Sequence, residues 1–85
     1  MAEQQIGRVT HYFGKIGVAA IELTDGSLAL GDTIHVKGHT SDFTQTVASL
    51  QVDGAPVEAV QAGASVGLSV MKHAREHDVV FKVVS

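Results

Sequence analysis

Apolar and polar residues alternate along several short stretches of this chain, and glycine-containing turns separate these stretches. Within residues 33–37, Ile34 and Val36 fall on one face and the polar residues fall on the other. A period of two is typical of a half-buried β-strand. Val66 and Leu68 repeat the same pattern further along the chain. Short strands between glycine turns are therefore the expected building units.

Six strands are predicted, at residues 5–13, 18–23, 33–37, 43–52, 66–71 and 79–84. The apolar positions of the first and fourth strands change phase, which predicts a bulge in each. Asp53-Gly54 is a pair favoured in tight turns between strands. Val57 and Val60 have the spacing of a single helical turn, but the run is too short for a stable helix. This pattern predicts an all-β fold, a small closed six-stranded antiparallel-type β-barrel.

The length of 85 residues predicts one small domain, which we place at residues 1–85 with a polar tail at residues 1–4. The chain has no cysteine, so it has neither disulfides nor thiolate chemistry. The first residues lack the basic and apolar regions of a signal peptide, and the apolar runs are far shorter than a membrane span. We therefore expect a cytoplasmic protein without a membrane partner.

The formal charge is −3, from six Lys and Arg against nine Asp and Glu. Affinity for nucleic acid comes largely from neutralised phosphates, and one face of this chain gathers only about two or three of its scattered cations. The charge argues against a dedicated nucleic-acid binder and against DNA as a partner. It leaves RNA as a weak partner and a protein as the main one.

Glycine motifs follow one another in a fixed order. They are Gly14-Lys15-Ile16-Gly17, Thr24-Asp25-Gly26-Ser27-Leu28, Leu30-Gly31-Asp32-Thr33-Ile34-His35-Val36 and Ala62-Gly63-Ala64-Ser65-Val66-Gly67-Leu68. The ordered set, over roughly residues 6–84, resembles the second, β-barrel domain of elongation factor Tu and other translational GTPases. Residues 7–19 also resemble stand-alone elongation-factor-like proteins and the C-terminal barrel of a collagenase-like peptidase family. The resemblance implies a barrel.

The GTP-binding domain of those GTPases is absent from the chain. The nearest Gly-Lys pair, Gly14-Lys15, has Val9 where a P-loop needs glycine, and Ile16 follows it. In elongation factor Tu the barrel also holds the acceptor end of aminoacyl-tRNA. The resemblance aligns Gln51 with a glutamate beside the terminal adenine, and Glu22 with an arginine, so that an anion replaces a cation. It therefore implies the barrel more than the tRNA pocket.

The first strand offers one candidate binding surface. Arg8, His11 and Tyr12 combine a cation with rings that stack on and hydrogen-bond to a base or a peptide. An ordinary strand with a polar face gives the same pattern. Gln51 joins these residues as a candidate through the resemblance.

The last strand, Val79–Val84, offers a second candidate surface, because it is apolar on both faces except for Lys82. Such a strand needs cover on both sides. It is either a central strand of the barrel or a strand that faces a partner or a second copy of the chain. Val80 and Lys82 are the residues we expect at that contact.

Histidines are numerous, with five in the chain. His35 and His39 are too far apart to share a metal ion, because residues i and i+4 of a strand lie about 13 Å apart. His73 and His77 lie in a charged loop and form a remote candidate for a metal site, although solvated histidines explain the same pattern. We expect neither a cofactor nor a metal.

Catalysis by the chain alone is not expected. The Gly-x-Ser-x-Gly setting of a nucleophilic serine is missing, and a barrel of this size has little room for converging carboxylates. The main hypothesis is a non-catalytic binding module that contacts protein or RNA in translation or tRNA metabolism. The alternative is an accessory subunit that supplies the barrel in trans to a collagenase-like peptidase. Metal binding through the His73/His77 loop is a remote third.

Overall fold

The computed structural model describes residues 2–84, and these form β-strands joined by turns and loops. The strands are β1 (Ala2–Phe13), β2 (Val18–Leu23), β3 (Ser27–Ala29), β4 (Thr33–Lys37), β5 (Asp42–Thr46), β6 (Gln51–Val52), β7 (Ala55–Pro56), β8 (Ala59–Gln61), β9 (Ser65–Ser69) and β10 (Val79–Val84). Eight of them form one sheet in the order β5-β4-β10-β1-β2-β9-β6-β7, and β3 pairs with β8 in a second sheet. The neighbouring strands run antiparallel.

The all-β, barrel-like prediction is confirmed, but the strand count of six was too low. The predicted fourth strand is interrupted at residues 47–50 and becomes β5 and β6. The missed strands β3, β7 and β8 have two or three residues each, too few for alternation to be visible. Residues 57–61 contain β8 rather than a helical turn.

One apolar core fills the space between the strands. The alternating faces predicted from the sequence are buried, including Ala19, Ile21 and Leu23 of β2 and Ile34 and Val36 of β4. Within residues 2–84, every buried side-chain nitrogen or oxygen has a hydrogen-bond partner. The core therefore has no unpaired polar side-chain atom in that range to offset its hydrophobic stabilisation.

The predicted bulge in β1 is confirmed, and the strand has two irregularities. Its register shifts between Gln5 and Gly7 against β10, and between Val9 and His11 against β2. A Cβ atom on Gly7 would overlap the backbone carbonyl of Glu22 across the sheet, so the close approach needs glycine. These shifts bend one long strand so that it pairs with β10 at one end and with β2 at the other.

A side chain links β5, at one edge of the large sheet, to β9, which lies nearer the other edge. Gln45 of β5 donates its amide to the carbonyl of Ser69 at 2.8 Å and accepts a hydrogen bond from the Met71 N–H at 2.7 Å. This amide joins β5 to the end of β9, where the backbone ladder described for residues 2–84 does not continue. Within residues 2–84, a side chain rather than strand pairing therefore connects β5 to β9, and closure of the barrel stays a prediction.

The last strand is central rather than peripheral. β10 lies between β1 and β4 and pairs with β1 over residues 79–84 and with β4 over residues 79–82. Over residues 79–82 its backbone therefore offers no free edge for adding a strand from a partner or from a second copy. The described chain, which is built of short strands, contains no helix of the length and apolarity needed to span a bilayer.

Candidate functional site

A loop at residues 71–78 packs against the end of β1 and forms one side of a cleft. Ala74 and Asp78 are buried and anchor this loop in the core. The His77 N–H donates to the carbonyl of Val9 at 2.8 Å, and the Val9 N–H donates to the carbonyl of Asp78 at 2.8 Å. The pairing of β1 with β10 ends at Arg8 opposite Val79, so the backbone groups of Val9 are available to hold the loop in place.

Aromatic and imidazole rings line this cleft, which has a volume of about 660 Å³. The rings of Tyr12 and His73 are tilted by 38° with their centroids 4.4 Å apart. The ring of His11 lies edge-on to Phe13, also with centroids 4.4 Å apart. His11 and Tyr12 of β1 and His73 of the loop thus supply the rings that line the cleft, and Phe13 contacts His11 from outside this lining.

The cleft is also charged. His11 Nδ1 lies 3.4 Å from a carboxylate oxygen of Glu76, and Arg75 lines the cleft beside it. Lys72 and Lys15 are exposed and adjoin His73 and Gly14 in the sequence. Within residues 2–84, neither lysine nor Arg75 forms an ion pair. We name the surface formed by His11, Tyr12, Lys15, Lys72, His73 and Arg75 the cationic cleft.

A second recess, of about 360 Å³, crosses the outer face of β1, β2, β9 and β6. Its floor is low because Ala20 and Gly67 face each other across β2 and β9. Phe13 and Ile16 form one wall and are 46% and 70% exposed, which is high for such large apolar side chains. Gln51 lies at the far side. We name this recess the apolar groove.

The structure brings together some of the predicted site residues and separates others. His11 and Tyr12 both lie in the cationic cleft. Arg8 was expected beside them, but its guanidinium lies 3.5 Å from the Glu22 carboxylate, outside the cleft lining. Gln51 lines the apolar groove.

Val80 and Lys82 of β10 were predicted to contact a partner, and the structure places both within the fold. Val80 is fully buried in the core and therefore offers no surface to a partner. The ammonium of Lys82 lies 3.3 Å from the Asp32 carboxylate and donates to the carbonyl of Ser27. Lys82 is therefore engaged within the fold rather than free for a partner.

His35 contacts two carboxylates, Asp42 on the adjacent strand β5 and Glu3 on β1, which lies beyond β10. Its Nδ1 lies 2.8 Å from a Glu3 oxygen, its Nε2 contacts Asp42, and its side chain is 16% exposed. The hydrogen bond with Asp42 is the main cause that raises the pKa of His35; burial opposes this shift, and Glu3 adds to it. The same bond lowers the pKa of Asp42. This cluster ties β1, β4 and β5 together on the outer face of the sheet.

The histidine loop does not bring a set of metal ligands together. His73 packs against Tyr12, and His77 has a left-handed backbone, with φ of 74°. Among residues 2–84, no three His, Asp or Glu side chains converge on one point. The geometry therefore gives the metal hypothesis no support.

Several residues of the two recesses were missed from the sequence. Arg75 was counted among scattered cations, and His73 was considered only as a metal ligand. Phe13 and Ile16 were assigned to a strand end and a loop, without a role. Their exposure follows from the small residues Ala20 and Gly67 beside them, a pairing across strands that the sequence does not show.

The curated proteins that this chain resembles in sequence are a protease and collagenases. No family model matches the chain. It is 37% identical over 78 residues to an uncharacterized protease of Methanocaldococcus jannaschii, covering 91% of this chain and 19% of that protein. It is 28% identical over 78 residues to a collagenase of Porphyromonas gingivalis, covering 91% of this chain and 22% of that protein. The chain thus spans about a fifth of the length of the curated relatives it matches.

Solved structures agree on the fold. The C-terminal domain of a Geobacillus thermoleovorans protein assigned to the U32 peptidases superimposes with a TM-score of 0.88 at 19% identity, covering 95% of this chain and 93% of that one. GDP-bound aIF5B of Aeropyrum pernix superimposes with a TM-score of 0.67 at 15% identity, covering 98% of this chain and 14% of that one. The collagenase-like resemblance is therefore supported, and the resemblance to the GTPases only weakly.

Proposed function

We propose that this chain is a non-catalytic accessory barrel that works beside a catalytic unit of the collagenase-like kind. The observation that carries the proposal is the extent of the match. Nearly the whole chain aligns with relatives of which it covers only about a fifth. The structural counterpart is a C-terminal domain. We infer that the remaining four fifths of such proteins hold the chemistry and that the barrel binds.

The apolar groove is the surface we assign to this contact. Phe13 and Ile16 are among the large apolar side chains that remain exposed in an otherwise well-packed fold. Apolar side chains around a recess mark sites of protein contact more often than scattered ones do. The low floor at Ala20 and Gly67 leaves room for a side chain from the catalytic unit.

Co-purification tests the proposal. The tagged chain is isolated from native lysate of its own organism, with and without RNase, and the bound proteins are quantified by mass spectrometry. We expect a collagenase-like protein in near-stoichiometric amount that survives RNase. Ile16→Gln should reduce this capture at least about fivefold, since about 1 kcal/mol of buried apolar contact is lost. Leu30→Gln removes another exposed apolar side chain outside the groove and is the matched control.

A translation-linked binding role is the second candidate. Gln51 in the apolar groove and the fold likeness to aIF5B favour it. In this case the same experiment should yield ribosomal proteins, synthetases or tRNA that are lost on RNase treatment. We place either role in the cytoplasm, which fractionation of cells that express the tagged chain tests directly.

A further inference from the structure

We propose that the cationic cleft binds single-stranded nucleic acid, with a base against the rings and phosphates on the surrounding cations. The inference does not depend on the accessory role, since the residues that line the cationic cleft do not line the apolar groove. It supplies a site and a ligand class for the RNA contact of the second candidate.

The charges of the fold are unevenly distributed. Two of the six Lys and Arg residues, Arg8 and Lys82, are engaged with Glu22 and Asp32. Of the other four, Lys15, Lys72 and Arg75 belong to the two loops that border the cleft. An acidic protein with charge −3 thus concentrates its uncompensated cations at one end, and a patch of this sign complements an anionic ligand.

Three of the five histidines lie at the same end. His11 and His73 line the cleft, and His77 follows in the same loop. Two acidic residues belong to this region. The Glu76 carboxylate faces His11, and Asp78 is buried beneath the loop, where it accepts the Arg75 N–H. Asp78 therefore presents little negative charge to a ligand at the surface.

The rings select nucleic acid over other anions. Tyr12 and His73 form a tilted pair in the cleft, and the ring of His11 lines the cleft as well. Single-stranded nucleic acid is bound by such rings, on which bases stack, next to cations that contact the backbone. An acidic peptide would use the cations but would gain little from the rings.

Fluorescence anisotropy with a fluorescein-labelled oligoadenylate of about ten nucleotides tests the inference. We expect weak binding at about 20 mM salt that falls steeply with added salt. With two or three phosphate contacts, the logarithm of the affinity should fall with the logarithm of salt at a slope of about −1.4 to −2.

The variants separate the two parts of the site. Arg75→Ala should weaken binding about fivefold and flatten the slope by about 0.7, because one phosphate contact is lost. His73→Ala should weaken binding about fivefold and leave the slope unchanged, because stacking releases no counterions. Lys37→Ala removes an exposed cation at the end of β4 that does not line the cleft, and it should change neither quantity. Circular dichroism confirms that each variant is folded.

Three results would overturn the inference. The first is no change in anisotropy at about 20 mM salt, where electrostatic binding is strongest. The second is an equal loss for Lys37→Ala and Arg75→Ala, which would mean non-specific attraction. The third is competition by oligoglutamate as strong as competition by unlabelled oligoadenylate, which would assign the cleft to acidic peptides. None of these results bears on capture of a collagenase-like protein through the apolar groove.

Discussion

The carboxylate of Asp78 lies directly against Gly38, in the space that a Cβ atom at that position would occupy. The other oxygen of the same carboxylate accepts the Arg75 N–H at 2.9 Å. Asp78, the last residue of the loop at residues 71–78, therefore joins this loop to the end of β4. This contact fixes the loop that carries His73 and Arg75, and it links the stability of the fold to the shape of the cationic cleft.

Gly38→Ala should destabilise the protein by about 1–3 kcal/mol, because the added methyl group forces Asp78 away from its hydrogen bond. Urea unfolding followed by circular dichroism measures the loss. Gly14→Ala is the control, since a Cβ atom there meets only the Tyr12 ring at 3.5 Å and should cost less than about 1 kcal/mol. Equal costs for the two variants would show that Gly38 has no special contact.

Gln45→Met should destabilise the fold by about 1–3 kcal/mol. Methionine keeps the length of the side chain but removes the hydrogen bonds to the Ser69 carbonyl and from the Met71 N–H, and a typical hydrogen bond contributes about 0.5–1.5 kcal/mol. Gln51→Met changes an exposed amide and should stay within about 0.5 kcal/mol. If Gln45→Met unfolds at the same urea concentration as the unaltered protein, the side-chain bridge does not hold the sheet together.

The melting temperature should fall by a few degrees between about pH 6 and about pH 8 because of His35. Its pKa is raised above its ordinary value of 6.5 by Asp42 and Glu3. A raised pKa means that protonation stabilises the fold below pH 6.5, and this stabilisation is lost as the pH rises through the folded-state pKa. His35→Gln should flatten the profile over this range, as measured by differential scanning calorimetry. A slope that persists in His35→Gln would assign it to another group.

At acid pH, the contribution of Asp42 to stability is lost as the pH falls, whereas that of His35 is lost as the pH rises. The pKa of Asp42 is lowered from its ordinary value of 3.8 by the hydrogen bond with His35. Its contribution is present above pH 3.8 and is lost as the pH falls through the lowered value. Asp42→Asn should therefore reduce the stability gap between about pH 5 and about pH 3. Ser41→Ala, at the adjoining position, should leave the shape of the pH profile unaltered, whatever its effect on stability.

Much of the fold could be predicted from alternation and turn residues, because these depend on neighbours in sequence. The buried faces of β2 and β4 follow directly from a period of two. Asp53 and Gly54 both have positive φ, as the predicted Asp-Gly turn requires. The two shortest strands, β6 and β7, flank this turn and become visible only in the paired structure.

The candidate site was harder to predict, because it depends on contacts between distant segments. Tyr12 and His73 lie 61 positions apart and meet only because the loop at residues 71–78 is anchored to Val9. The sequence predicts Arg8 beside His11, but the register of β1 against β2 places Arg8 opposite Glu22. The sequence does not show whether Val80 is exposed or buried, because both faces of β10 are apolar. The pairing of β10 with β1 and with β4 makes it a central strand, and Val80 then lies in the core.

The most direct test of the accessory role is complex formation between purified components. The collagenase-like protein recovered by co-purification is expressed separately, and its mixture with this chain is measured by analytical ultracentrifugation. We predict a one-to-one complex that Ile16→Gln weakens and Leu30→Gln leaves intact. Two independent sedimenting species at micromolar concentrations, together with capture of RNA-dependent translation components only, would contradict the accessory role and favour the translation-linked one.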